Sequence, residues 1–158
     1  NDISGGTFDD EMYDLVREFQ CVYIAMHIKG TPDSMQKNTD YVNVTVDVVK
    51  ALSSIKNNLV QKGVNDIIID PGFGFGKSLN QNFEMLKHLN HFKLLGFPIL
   101  VGVSRKSMIY KTLEINSYEA LNGTTIINTV ALLNGASILR VHDVKEAKEC
   151  VLLTQKIL

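Results

Sequence analysis

The chain has 158 residues, 45% of them hydrophobic and 21% charged, an ordinary globular composition that can bury one domain-sized core. Its net charge is −1 with the basic residues scattered, which argues against a nucleic-acid partner. Two distant cysteines, Cys21 and Cys150, read as small buried hydrophobes in a reducing cytosol rather than as a disulfide or zinc framework; the most apolar stretch, Leu94 to Val103, is broken by Gly96 and Pro98 and is too short to span a bilayer.

The opening Asn1-Asp2-Ile3-Ser4-Gly5-Gly6 has no initiator methionine and runs straight into a turn, so the chain reads as a fragment cut just before a βα loop. Residues 9–19 place Met12, Leu15, Val16 and Phe19 at helical spacing behind an acidic first turn. Cys21 to Met26 is a buried strand ending at His27, with Gly30 to Asp33 as the following loop. In residues 40–62 the valines alternate like a strand, but Val42, Val46, Val49, Leu52, Ile55 and Leu59 continue at steps of three and four, and length decides for a helix closed by Gly63.

The alternation then repeats. Ile67 to Ile69 predicts a strand, Leu79 to Phe92 a helix, Phe97 to Val103 a strand, 106–113 and 118–134 helical segments, and Ile138 to His142 a strand. The last helix, about 144–157, has Asp143 and Glu146 at capping-box spacing. Four apolar strands separated by helices predict βα units with a parallel sheet. The polar clusters fall at the strands' C-terminal ends: His27, Asp70, Ser104 to Lys106, and Arg140 with His142. That is where parallel α/β folds bind ligands.

Asp70-Pro71-Gly72-Phe73-Gly74-Phe75-Gly76-Lys77-Ser78 sits between strand and helix and ends as a nucleotide-binding P-loop does. Pro71 stands where that motif needs glycine, and Asp70 would set a carboxylate beside the phosphates, so nucleotide triphosphate binding is disfavoured. Asp70, behind three isoleucines, needs a partner. An amidine-like donor edge, as of a pterin or a guanine, competes there with an internal salt bridge or an N-cap. Phe73 and Phe75, spaced by glycines, read equally as core or as covers over a planar substrate. Ser104-Arg105-Lys106-Ser107 leaves a strand for a helix start and reads as an anion site or as a solvated basic turn. Arg140 and His142, two apart, share a strand face and suit a pyrophosphate clamp.

These motifs together resemble the dihydropteroate synthase family. Asn1-Asp2, Met26-His27 with Gly30-Thr31-Pro32, the Asp70 to Lys77 loop, Ser104 to Ser107, and Arg140-Val141-His142-Asp143 follow that family's order across essentially the whole chain. The resemblance implies the C-terminal portion of a (β/α)8 TIM barrel, an α/β fold, with 1–158 as a partial pterin-binding domain holding the end of strand 4 and strands 5 to 8. It implies a cytoplasmic transferase that joins 6-hydroxymethyl-7,8-dihydropterin pyrophosphate to p-aminobenzoate, complete only with the N-terminal half. Asn1, Met26, Asp70 and Lys106 would hold the pterin, Arg140 and His142 the pyrophosphate, and Phe75, Lys106 and Ser107 the p-aminobenzoate. Lys106, Arg140 and His142 would be catalytic. The resemblance further implies magnesium on the pyrophosphate, with its ligands outside this chain, sulfonamides as inhibitors, and a homodimer for the complete enzyme. A pterin-binding domain that presents methyl-folate to a methyltransferase, or an inert half-barrel fragment, are the alternatives.

Overall fold

The predicted alternation of strands and helices is present in the computed structural model, which describes residues 1–158. In chain order the elements are α1 (Met12–Phe19), β1 (Tyr23–Met26), α2 (Val44–Gln61), β2 (Ile67–Asp70), α3 (Leu79–Lys87), β3 (Leu100–Val101), α4 (Ser107–Tyr110), α5 (Leu121–Leu133), β4 (Ile138–Leu139) and α6 (Val144–Thr154). β1 and β2 pair in parallel from Tyr23↔Ile67 to Met26↔Asp70, and β3 and β4 pair in parallel at Leu100↔Ile138 and Val101↔Leu139. Parallel bridges Ile69↔Ile99 and Asp2↔Ala25 join β2 to β3 and lay the first residues beside β1. Each strand therefore neighbours the next in sequence, and the outer edge of β4 pairs with nothing.

The two faces of this sheet differ. Tyr23, Ala25, Ile67, Ile69, Ile99, Val101 and Val103 belong to the buried core, with α2, α3 and α5 supplying Val48, Leu52, Met85, Leu86 and Ala131. The alternate positions face the other way: Ile24 and Ile68, partners in register, are only half-buried and lie outside that core. This inner face carries Met26, Asp70, Gly102 and Arg140 at the strand ends, because side chains alternate along a strand.

Several predicted boundaries shift for local reasons. β1 begins only at Tyr23, so Cys21 and Val22 lie exposed before it and Cys150 is the one buried cysteine. In α1 only Val16 is buried, while Leu15 and Phe19 face out. In α2, Asn43 is the N-cap, its side chain accepting from the Val46 amide. Val42 thus precedes the helix and is fully exposed, Val46 is exposed too, and the inward stripe is Val44, Val48, Leu52 and Leu59. The helix expected to reach Phe92 stops at Lys87 and becomes a 3₁₀ segment, Leu89–Leu95, ended by left-handed Gly96. Leu89, Phe92 and Leu95, all buried, recur every third residue, which matches the 3.0-residue turn. The segment expected over 106–113 is a single turn, and the one over 118–134 divides into a 3₁₀ turn, Ser117–Glu119, followed by α5.

β3 and β4 are two-residue ladders, shorter than predicted, so Arg140 and His142 lie just past the end of β4 rather than on it. The capping box expected at Asp143 does not form. Both Asp143 carboxylate oxygens are taken by Arg105, through Nε at 2.9 Å and Nη2 at 2.7 Å, and cannot also cap the helix. The boxes that do form are Ser78 with Gln81 and Asn116 with Glu119.

Candidate active site

Asp70 closes β2 on the inner face and is 5% exposed. Its Oδ1 accepts the Gly72 amide at 2.8 Å and its Oδ2 the Asn1 side-chain amide at 3.4 Å. Burial pushes its pKa up, against the Gly72 hydrogen bond and the Lys106 charge. Asp70 forms no salt bridge, and Ser78 is the cap of the following helix, so neither structural alternative for Asp70 holds. Its remaining lone pairs open on a cleft lined by Asn1, Ile3, Met26, Asp70, Phe75, Gly102, Lys106 and Arg140. Asn1 is kept there by Asp2, whose carboxylate accepts from the Ser4 and Gly6 amides, the Ser4 hydroxyl and the Tyr23 hydroxyl.

The loop after Asp70 is held from beneath. Gly72 has φ +70 and packs on the His27 carbonyl so closely that no Cβ could stand between them. Lys77 is 3% exposed and donates to Gly72 O and Phe75 O, each at 2.9 Å, with its Nζ also 3.1 Å from His27 Nδ1. Three acceptors match the three ammonium protons, so this lysine secures the loop instead of reaching for a phosphate. Of the two loop aromatics, Phe73 is wholly buried in the core, while Phe75 borders the cleft with Lys106 Nζ 4.9 Å from its ring centroid.

His27 was grouped by sequence with the polar strand ends, but it serves this loop. Burial, then the Lys77 charge, lowers its pKa to about 3 from 6.5. The unfolded chain binds a proton between those values and the folded chain does not, so stability is full above pH 6.5 and is lost as pH falls toward 3. The unfolding free energy from urea titrations is expected to drop across that window by an amount on the order of 5 kcal/mol. His27→Asn, which keeps an acceptor but cannot titrate, should flatten the slope; an unchanged slope would place the acid sensitivity elsewhere.

A second cleft shares Gly102, Lys106 and Arg140 with the first and adds Ser104, Arg105, Val141 and His142. The structure thus brings together Asn1, Met26, Asp70, Phe75, Lys106, Arg140 and His142 around two joined clefts. Lys106 Nζ donates to Phe73 O at 2.5 Å, and burial lowers the lysine to about 8, opposed by Asp70 and reinforced by Arg140. Ser104 Oγ lies 2.9 Å from His142 Nδ1. Arg105 is not a free cation for an anion, because its guanidinium is spent on Asp143 and on the Ser117 and Tyr118 carbonyls. Ser107 lines neither cleft.

Sequence reasoning missed Gly102, which leaves the inner face without a side chain between Asp70 and Arg140. A glycine inside the strand pattern Val101-Gly102-Val103 was the available signal. Ile3, next to Asn1 on the same alternation, was missed as well. No group of three or more His, Cys, Asp or Glu side chains converges. Asp70 is the only carboxylate lining either cleft, and magnesium needs several oxygen ligands in octahedral array. These residues alone therefore do not fit a magnesium site. No helix is long and apolar enough to cross a membrane. Chemically, the first cleft offers buried acceptors to a flat donor edge, and the second offers Lys106, Arg140 and His142 to an anion.

The model of the family described as "Pterin binding enzyme" matches residues 1–142. The dihydropteroate synthase of Synechocystis sp. is 41% identical over 148 residues, covering 92% of this chain and 51% of the relative. A Yersinia pestis dihydropteroate synthase solved as a sulfonamide drug complex superposes with TM-score 0.95 at 31% identity, over 99% of this chain and 58% of that one. The Thermus thermophilus enzyme in complex with 6HMPPP gives TM-score 0.94 at 30% identity, over 99% and 62%. The chain has the α/β fold of part of that barrel and spans about half the length of the curated relatives it matches.

Proposed function

Because the chain belongs to the pterin-binding enzyme family, we propose that it supplies the C-terminal part of a dihydropteroate synthase, from the end of strand 4 through strands 5 to 8. The reaction is condensation of 6-hydroxymethyl-7,8-dihydropterin pyrophosphate with p-aminobenzoate. The observation that carries this reading is the inner-face layer, in which buried Asp70 shares one cleft with Lys106 and Arg140. The stepwise parallel order from Asp2 through β4 supports the strand assignment.

Asp70, with free acceptor positions in a dry setting, takes the ring N–H and amino group of the pterin, and the hydrogen bonds offset the cost of its burial. Lys106 lies where it can donate to the pterin carbonyl, and Asn1 and Met26 border the ring. Arg140 and His142 receive the pyrophosphate. As the C–O bond breaks, its electron pair leaves with that anion, and the amine of p-aminobenzoate forms the new C–N bond and then loses a proton. The protein forms no covalent intermediate; its work is to place positive charge and N–H donors where negative charge develops. Phe75 and Lys106, which line the first cleft, border the arylamine; Ser107, which lines neither cleft, has that role only by resemblance to the family. Sulfonamides compete at that end. The homodimer proposed for the complete enzyme has an apolar surface available on α5, where Ile126, Val130 and Leu133 are exposed at helical spacing.

The test is Arg140→Ala in the complete barrel. Turnover should fall on the order of 10²-fold and pyrophosphate inhibition should weaken with it, while pterin affinity holds within a factor of two. Weakened pterin binding with intact pyrophosphate inhibition would exchange the roles of the two clefts.

A further inference from the structure

The β3–β4 register continues beyond the strands in side chains. Leu100↔Ile138 and Val101↔Leu139 are followed, at the same 38-residue offset, by Ser104 with His142 and Arg105 with Asp143. The Ser104 rung has a definite proton arrangement. Ser104 is 4% exposed, and its Oγ has two polar neighbours, both on His142: the backbone N–H, which donates to it at 3.2 Å, and Nδ1 at 2.9 Å. A serine hydroxyl has one proton and two lone pairs. If Nδ1 were the donor, Oγ would accept twice and its own proton would be buried with no acceptor, at a cost of about 1–3 kcal/mol. With Oγ–H donating to Nδ1, every group of the rung is satisfied.

We infer that Ser104 is a positioning residue: its hydroxyl donates to His142 Nδ1 and holds the imidazole as the neutral tautomer protonated on Nε2, so that the nitrogen left for the cleft is an N–H donor toward a diphosphate oxygen. His142 then serves the anion without first taking up a proton. Arg105 and Asp143, one residue further along each loop, brace the same junction with a two-bonded ion pair. The inference rests on the leaving-group role proposed above for the second cleft.

The experiment separates the two. Imidazole 15N spectra of the complete protein, with His142 assigned by the signals lost in His142→Gln, should show wild-type His142 protonated on Nε2 and accepting at Nδ1. Ser104→Ala should give a mixture of tautomers and raise the pyrophosphate inhibition constant about tenfold, with pterin affinity unchanged. An Nδ1-protonated His142 in the wild type overturns the inference whether or not Ser104→Ala folds. A pyrophosphate constant that Ser104→Ala leaves unmoved overturns it as well. Failure of the wild type to bind pyrophosphate removes the proposed function and the role of Ser104 together, while the tautomer, read from the spectrum, would stand.

Discussion

Asp70→Asn is expected to weaken pterin binding by about 2–4 kcal/mol, on the order of 10²-fold in Kd, while leaving the fold at least as stable. The variant's Oδ1 can still accept the Gly72 amide, so the loop keeps its anchor. The other atom becomes an NH₂ that faces the donor edge of the ring and the Asn1 amide, turning an attraction into a donor–donor contact. Burial already penalises the charge of Asp70, so removing that charge offsets any lost contact within the protein itself. Calorimetric titration with a pterin, paired with thermal unfolding of the same samples, checks both halves. A Kd within a factor of two of wild type would mean that Asp70 does not hold the ring.

A protein made of these 158 residues alone is expected to give no measurable turnover. The sheet has an unpaired outer edge at β4, where Ile138 is 36% exposed, and its inner face leaves Ile24 and Ile68 half-covered. Open strand edges and uncovered apolar faces favour association over a defined site. The proposed chemistry also needs the cleft walled from water on every side, and here only one wall is built. Assays for dihydropteroate on the purified chain, with sedimentation to follow its association, decide the matter. Turnover at the rate of a complete barrel would show that half the sheet suffices.

Much of the candidate site was legible because its residues sit at or just past strand ends, and strand ends follow from apolar runs broken by glycine, proline and charge. Asp70, Arg140 and Lys106 were found that way and share one cleft. The facing of the strands was not legible, because a buried parallel strand such as Ile67-Ile68-Ile69 shows no alternation and hides which side each residue takes. The α2 stripe was misread for a related reason: the cap at Asn43 sets where helical counting begins, and valines on both sides of it count equally in a pattern. Asp143 and Glu146 had the spacing of a capping box, but a partner 38 residues away claimed the aspartate. Ser107 has no contact in the structure that accounts for the role the resemblance gave it. Local signals do not report competition from distant side chains: Asp143 drew Arg105 away from an apparent anion site, and His27, together with two carbonyls of its own loop, did the same to Lys77.

The Arg105 rung bears on how the second cleft meets its ligand. Arg105 holds φ +53, a left-handed conformation that costs a residue with a side chain on the order of 1 kcal/mol. Five hydrogen bonds maintain it: the amide to Thr124, two from the guanidinium to Asp143, and two more to the Ser117 and Tyr118 carbonyls. Relaxing the backbone would break most of these together, so the corner has one resting shape and no low-cost alternative into which it can open. Under the role proposed for the second cleft, an arriving anion meets donors already in place, and discrimination at that end would come from fit to a standing geometry rather than from closure around the guest.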